Sequence, residues 1–146
     1  MPALSSIPVR VQTMPCGTTD CGNAVPILHE VRHALERLIA TGEGTQIDLN
    51  AIPFGPEDEA HLLAVLGVGE VRATIDALGP THVQETAIPG VWLIDYRITE
   101  DQRLALHLDI GDIPEILRTQ RQDLDTALTT LDARLTSAQD RAPFEY

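Results

Sequence analysis

The chain has 146 residues, enough for one domain with one sizeable core. Its 43% apolar share is ordinary for a globular protein and argues against wholesale disorder. The formal charge of −12 argues against nucleic acid or an anionic membrane surface as the main partner, because both need a positive footprint. No apolar run approaches the ~20 residues of a membrane span. Residues 1–11 lack a basic region followed by an apolar one, so no secretory signal is read and a cytoplasmic protein is the expectation.

Residues 1–22 show little periodicity. Val9 and Val11 alternate with Arg10 and Gln12, which permits a short strand, and the Pro15-to-Gly22 stretch is a loop by composition. A helix is predicted over 23–40, with Asn23 as N-cap and Pro26 tolerated in the first turn. Ile27, Leu28, Val31, Ala34, Leu35, Leu38 and Ile39 share one side, and Gly42 and Gly44 end the helix. After a short extended segment over 47–52, a second helix is predicted over 56–66. Pro56 suits its first position, and Glu57, Asp58 and Glu59 read as a solvated acidic start that complements the helix dipole. Leu62, Leu63 and Leu66 give its buried side.

Four strand candidates follow. Val71, Ala73, Ile75 and Ala77 alternate with polar residues in the first, while the second, over 81–88, alternates poorly. In the third, Trp92, Ile94, Tyr96 and Ile98 share one face. In the fourth, Leu104, Leu106, Leu108 and Ile110 alternate with Ala105, His107 and Asp109. The connections are too short for parallel crossovers. The predicted fold is α+β: an antiparallel sheet of about four strands packed against two or three helices. A turn or short helix is read over 112–117. A last helix is predicted over 121–138, with Leu124, Leu128, Leu131 and Leu135 spaced four, three and four along one stripe. Such a stripe packs either on its own domain or on another chain, and a homodimer is one form of the second reading.

His29-Glu30-Val31-Arg32-His33 matches the H-E-x-x-H pattern of zinc peptidases. Two points count against that reading. Both histidines lie opposite the apolar stripe rather than on an enclosed cleft, and Arg32 puts a permanent positive charge beside the cation. A fuller set adds the cysteines: Cys16, Cys21, His29 and His33 supply two thiolates and two imidazoles, a tetrahedral donor set suited to zinc, with iron as the other candidate. The gap between Cys21 and His29 is shorter than in the usual zinc finger. A structural disulfide is not expected in a reducing cytoplasm. No nucleophile elbow, P-loop or dinucleotide fingerprint is present, so the chain is expected to be non-catalytic and without a cofactor.

Several phrases stand out as wording rather than pattern: Gly69-Glu70-Val71; Gly79-Pro80-Thr81 with Glu85-Thr86; Pro89-Gly90-Val91-Trp92; and Ile113-Pro114-Glu115-Ile116-Leu117. Asn23-Ala24, Leu28-His29-Glu30 and Leu35-Glu36-Arg37-Leu38 extend the likeness upstream. Together they resemble the C-terminal domain of the HupH/HyaF family, the NiFe-hydrogenase expression/formation proteins. Members of that family are usually larger and often carry the domain in duplicate. The resemblance implies one family-like α+β core over 23–120 in a single-domain chain, with an N-terminal extension over 1–22 and an amphipathic helix over 121–140. It implies a chaperone-like accessory role in hydrogenase maturation, with the iron–sulfur small-subunit precursor and a thioredoxin-like accessory protein as partners. The residues it carries over are Gly79, Pro80, Glu85, Thr86, Pro89, Gly90 and Trp92. The glycines and prolines shape turns, and Glu85, Thr86 and Trp92 are the expected partner-binding surface.

Overall fold

The computed structural model describes residues 21–141. The chain divides into two compact units, Met1–Asp112 and Ile113–Tyr146. The first holds the expected α+β layer. Its helices are α1 (Ala24–Thr41) and α2 (Pro56–Leu66). Its strands are β1 (Thr45–Asp48), β2 (Arg72–Asp76), β3 (Pro80–Glu85), β4 (Val91–Thr99) and β5 (Gln102–Ile110). All neighbours pair antiparallel, in the order β1-β5-β4-β3-β2. Strands β2 to β5 form a meander of short connections, as their spacing predicts.

The sheet has five strands rather than four. The extra one, β1, comes from the extended segment ahead of α2, and a 3-10 turn, Leu49–Ala51, ends it. Strand β1 pairs with β5, Thr45 opposite Ile110 and Asp48 opposite His107. No local pattern announces that pairing, because it joins segments about sixty residues apart in the chain.

The register makes the sheet two-faced. Leu93 lies opposite Leu108, and Ile94 lies opposite His107. The apolar runs of β4 and β5 therefore point to opposite sides. One face carries Val91, Leu106, Leu108 and Ile110. It packs with Ile27, Val31 and Ala34 of α1, Leu62 and Leu66 of α2, and Leu49 into the main core. The other carries Val83, Trp92 and Ile94, all buried.

Two helix starts converge on one carboxylate. Asp58, read from sequence as part of a solvated acidic turn, is 1% exposed. Its oxygens accept from the backbone N–H of Cys21 at 2.7 Å, of Asn23 at 3.1 Å and of Gly55 at 2.8 Å. The Gly55 bond is the backward reach of a capping box. The other two fix the chain just ahead of α1. Asn23 occupies the N-cap position of α1 but makes no side-chain cap bond. Its amide instead donates to the carbonyl of Pro53. Burying a carboxylate costs several kcal/mol unless its lone pairs are satisfied, and here three N–H groups satisfy them. At the far end Gly42 stops α1 as expected, its N–H donating to Leu38 O.

The second unit contains a 3-10 turn, Glu115–Leu117, and helix α3 (Arg121–Gln139). No residue of α3 is buried.

Candidate functional site

Of the residues singled out by their wording, Gly69 to Val71, Glu85, Thr86, Pro89, Gly90 and Trp92 gather at the end of the sheet where β3 passes into β4. Glu85 closes β3. Its Oε2 accepts from the N–H groups of Glu70 and Val71 at 3.1 and 3.2 Å, and its backbone N–H donates to Val71 O at 2.9 Å. That clamp holds the 69–71 phrase beside β3. Thr86 is buried, and its hydroxyl donates to Val91 O at 2.8 Å while accepting from Ile88 N–H at 3.2 Å. With the Val91 N–H bond to Ile88 O, it closes a rigid turn through Pro89 and Gly90. Gly90 has φ +84°, a conformation that L side chains rarely adopt. At the opposite end of β3, Gly79 has φ +145°, and a Cβ there would strike the carbonyl of Arg97. Pro80 opens β3 opposite Asp76.

The result is a turn whose inner residues are fixed and whose outer residues face solvent. Ala87, Ile88 and Pro89 are exposed. Ala87 N–H donates to Leu66 O at 2.9 Å, which ties the turn to the end of α2. Val65 and Val68, from α2 and the residues just after it, are exposed too. Trp92 of β4 is 7% exposed, opposite Glu85 on β3 and Asp109 on β5.

The face of the sheet that carries Trp92 also holds a polar group that sequence inspection missed. Tyr96 meets His107 edge-on, with ring centroids 5.1 Å apart. His107 Nε2 lies 3.5 Å from Asp48, and Gln46 donates to Asp109 at 3.1 Å. Burial, and then the charge of Asp109, hold the Tyr96 phenol above its ordinary value. Two buried nitrogens, Trp92 Nε1 and His107 Nδ1, have no hydrogen-bond partner among the described residues. The only available signal was the alternation of β5, which put His107 and Asp109 on the face away from the leucines.

On the helix-covered face, Arg103 of β5 is gripped by Glu59 of α2 at 2.8 Å and by Asp95 of β4 at 3.0 Å. Arg97 shares Asp95 at 2.8 Å. The hydrogen bond to Glu59 is the main cause holding the Arg103 guanidinium charged well above its ordinary value, against the opposing pull of burial. This network ties α2 to the sheet.

The Cys/His set is partly in view. His29 and His33 sit one turn apart on the exposed side of α1, and His33 Nδ1 lies 3.5 Å from Glu36. Cys16 lies outside the described residues. Cys21 is disulfide-bonded, contrary to the expectation of reduced thiols. That expectation rested on compartment chemistry, which the folded geometry does not encode. In the oxidised form its sulfur is not a thiolate donor. Among the described residues, no three His, Cys, Asp or Glu side chains are grouped to hold a metal ion. Glu30 and His33 line one wall of an open cleft of about 530 Å³, with Ala34 and Arg37 beside them and Thr45 to Asp48 of β1 opposite. Among the described residues, no helix is long and apolar enough to cross a membrane.

The family described as HupH hydrogenase expression protein, C-terminal conserved region, matches residues 21–138. The hydrogenase expression/formation protein HoxQ of Azotobacter vinelandii is 32% identical over 114 residues, covering 75% of this chain and 39% of that protein. The hydrogenase expression/formation protein HupH of Rhizobium leguminosarum bv. viciae is 26% identical over 121 residues, covering 83% of this chain and 43% of the relative. The chain thus spans about two fifths of the length of these curated relatives. Among solved structures, the hydrogenase expression protein HupH from Thiobacillus denitrificans superposes with a TM-score of 0.74 at 38% identity, covering 80% of this chain and 97% of that one. The match across both helices of the first unit, all five strands and most of α3 shows that this chain belongs to the HupH C-terminal family of hydrogenase expression proteins.

Proposed function

We propose that this chain is a non-catalytic accessory protein of NiFe-hydrogenase maturation that works in the cytoplasm by binding a protein, the iron–sulfur small-subunit precursor. A thioredoxin-like accessory protein is the second partner in this reading. The observation that carries it is family membership over residues 21–138, together with relatives named for hydrogenase expression and formation. The geometry of the β3–β4 turn supports it. Glu85 and Thr86 fix the backbone, so Ala87, Ile88 and Pro89 are presented rigidly beside Val65 and Val68. A preorganised apolar edge loses little entropy when it docks, which favours protein–protein contact. Glu85, Thr86 and Trp92 then act from beneath the contact surface, by shaping it.

The test is capture of the small-subunit precursor by the tagged chain, with Ile88→Asp and Val68→Asp compared against wild type. A stoichiometric complex that weakens about tenfold or more in the two variants is the expected result. Failure to retain the precursor under conditions where the chain is folded would overturn the reading.

A further inference from the structure

Helix α3 carries an apolar stripe with a distinctive charge frame. Leu124, Leu128, Leu131 and Leu135 are 51–67% exposed, although their spacing of four, three and four is that of core positions in a helix–helix seam. Four hydroxyls elsewhere on the helix are satisfied within it. The hydroxyls of Thr126, Thr130, Thr136 and Ser137 donate to carbonyls three or four residues earlier in the same helix. Threonine is a modest helix former and a lone helix of this length is marginal in water, so burial of the stripe would stabilise α3.

The residues flanking the stripe say what docks there. With the leucines at the seam positions, Asp125 and Asp132 line one side, and Ala127 and Arg134 line the other. A second copy of this chain meets that frame badly. Set parallel, the flanking contacts are Ala127 to Asp132 and Arg134 to Gln139, with no ion pair. Set antiparallel, Asp125 faces Asp132 across the seam and the two repel. Two chains of formal charge −12 also repel at longer range. An anionic lipid surface is opposed by the same carboxylates.

We infer that the stripe of α3 is a docking surface for an amphipathic helix of another protein, one whose own apolar stripe carries lysine or arginine on the side that meets Asp125 and Asp132. Asp125 and Asp132 pair with those cations, and the four leucines supply the buried seam. The inference stands on α3 alone and does not depend on the hydrogenase reading.

The experiment is titration calorimetry of the full chain with two synthetic helical peptides of about three heptads. Both carry leucine at the seam positions, one with lysine and the other with glutamate at the positions that face Asp125 and Asp132. The lysine peptide is expected to bind one to one, and the glutamate peptide is not. Leu128→Ser with Leu131→Ser should weaken the lysine peptide by about tenfold or more. Asp125→Asn with Asp132→Asn leaves the leucines in place and should weaken it severalfold while flattening its salt dependence. Circular dichroism confirms that α3 remains helical in both variants. Four results overturn the proposal: equal binding of both peptides, lysine-peptide binding that ignores the leucine change, self-association through the stripe, or absence of binding by either peptide.

Discussion

Helices α1 and α3 are close in length, and each carries apolar residues at helical spacing, yet the two end differently. In α1, Ile27, Val31 and Ala34 are buried in the main core. In α3, four leucines of greater apolar area stay more than half exposed. The contrast lies in what surrounds each helix locally. Helix α1 is anchored at its start by Asp58, which takes the N–H of Asn23 and of Cys21. Neither helix is capped by the side chain of its own N-cap residue, and in α3 the hydroxyls of Thr126, Thr130, Thr136 and Ser137 bond within the helix. Amphipathic spacing says that a helix has a partner. The anchoring contacts say whether that partner is the same fold.

Five changes sharpen or break this contrast. The largest expected effect is Leu62→Ala, at a fully buried position of the first core, which should cost about 2–5 kcal/mol in urea unfolding. Asp58→Ala comes next. It strands three N–H donors at two helix starts and should cost about 2–3 kcal/mol, with loss of amide protection at Cys21 and Asn23. Thr86→Val keeps the volume but removes the hydroxyl that closes the β3–β4 turn, at about 1–2 kcal/mol by the same unfolding assay. A smaller effect appears only in alkali. The Tyr96 phenol is held above its ordinary value of 10.0 in the fold, so the folded state keeps its proton longer. That contribution is complete below pH 10 and is lost as pH rises through the raised folded value. Unfolding midpoints measured across that range should fall, and Tyr96→Phe should fall less. The smallest effect is Leu128→Ala. It should leave stability within about 0.5 kcal/mol of wild type, because Leu128 is 67% exposed. A cost like that of Leu62→Ala would erase the contrast between the helices.

Much of the fold was legible in the residues. Period-two alternation identified β2, β4 and β5, helical spacing placed α1, α2 and α3, and Gly42 and Pro56 marked boundaries that the structure keeps. The family phrases located the end of the sheet where Glu85, Thr86 and Gly90 cooperate. What stayed hidden depends on contacts distant in the chain. The edge position of β1 comes from pairing with β5. The two-faced sheet comes from a register that places Ile94 against His107 rather than against a leucine. A composition-based reading placed Asp58 in solvent, because nothing local shows that the chain before α1 folds over it. The unpartnered Trp92 and His107 nitrogens are likewise products of packing on that second face. The disulfide of Cys21 departs from expectation because the cellular compartment was the only guide to its redox state.

The claim that separates the two helices is tested most directly by hydrogen–deuterium exchange along the free chain. The account predicts that amides in α1, β4 and β5 exchange only on global unfolding, while those of α3 exchange orders of magnitude faster. Protection of α3 equal to that of α1 in the free chain would contradict it, because the leucine stripe would then belong to the chain's own core.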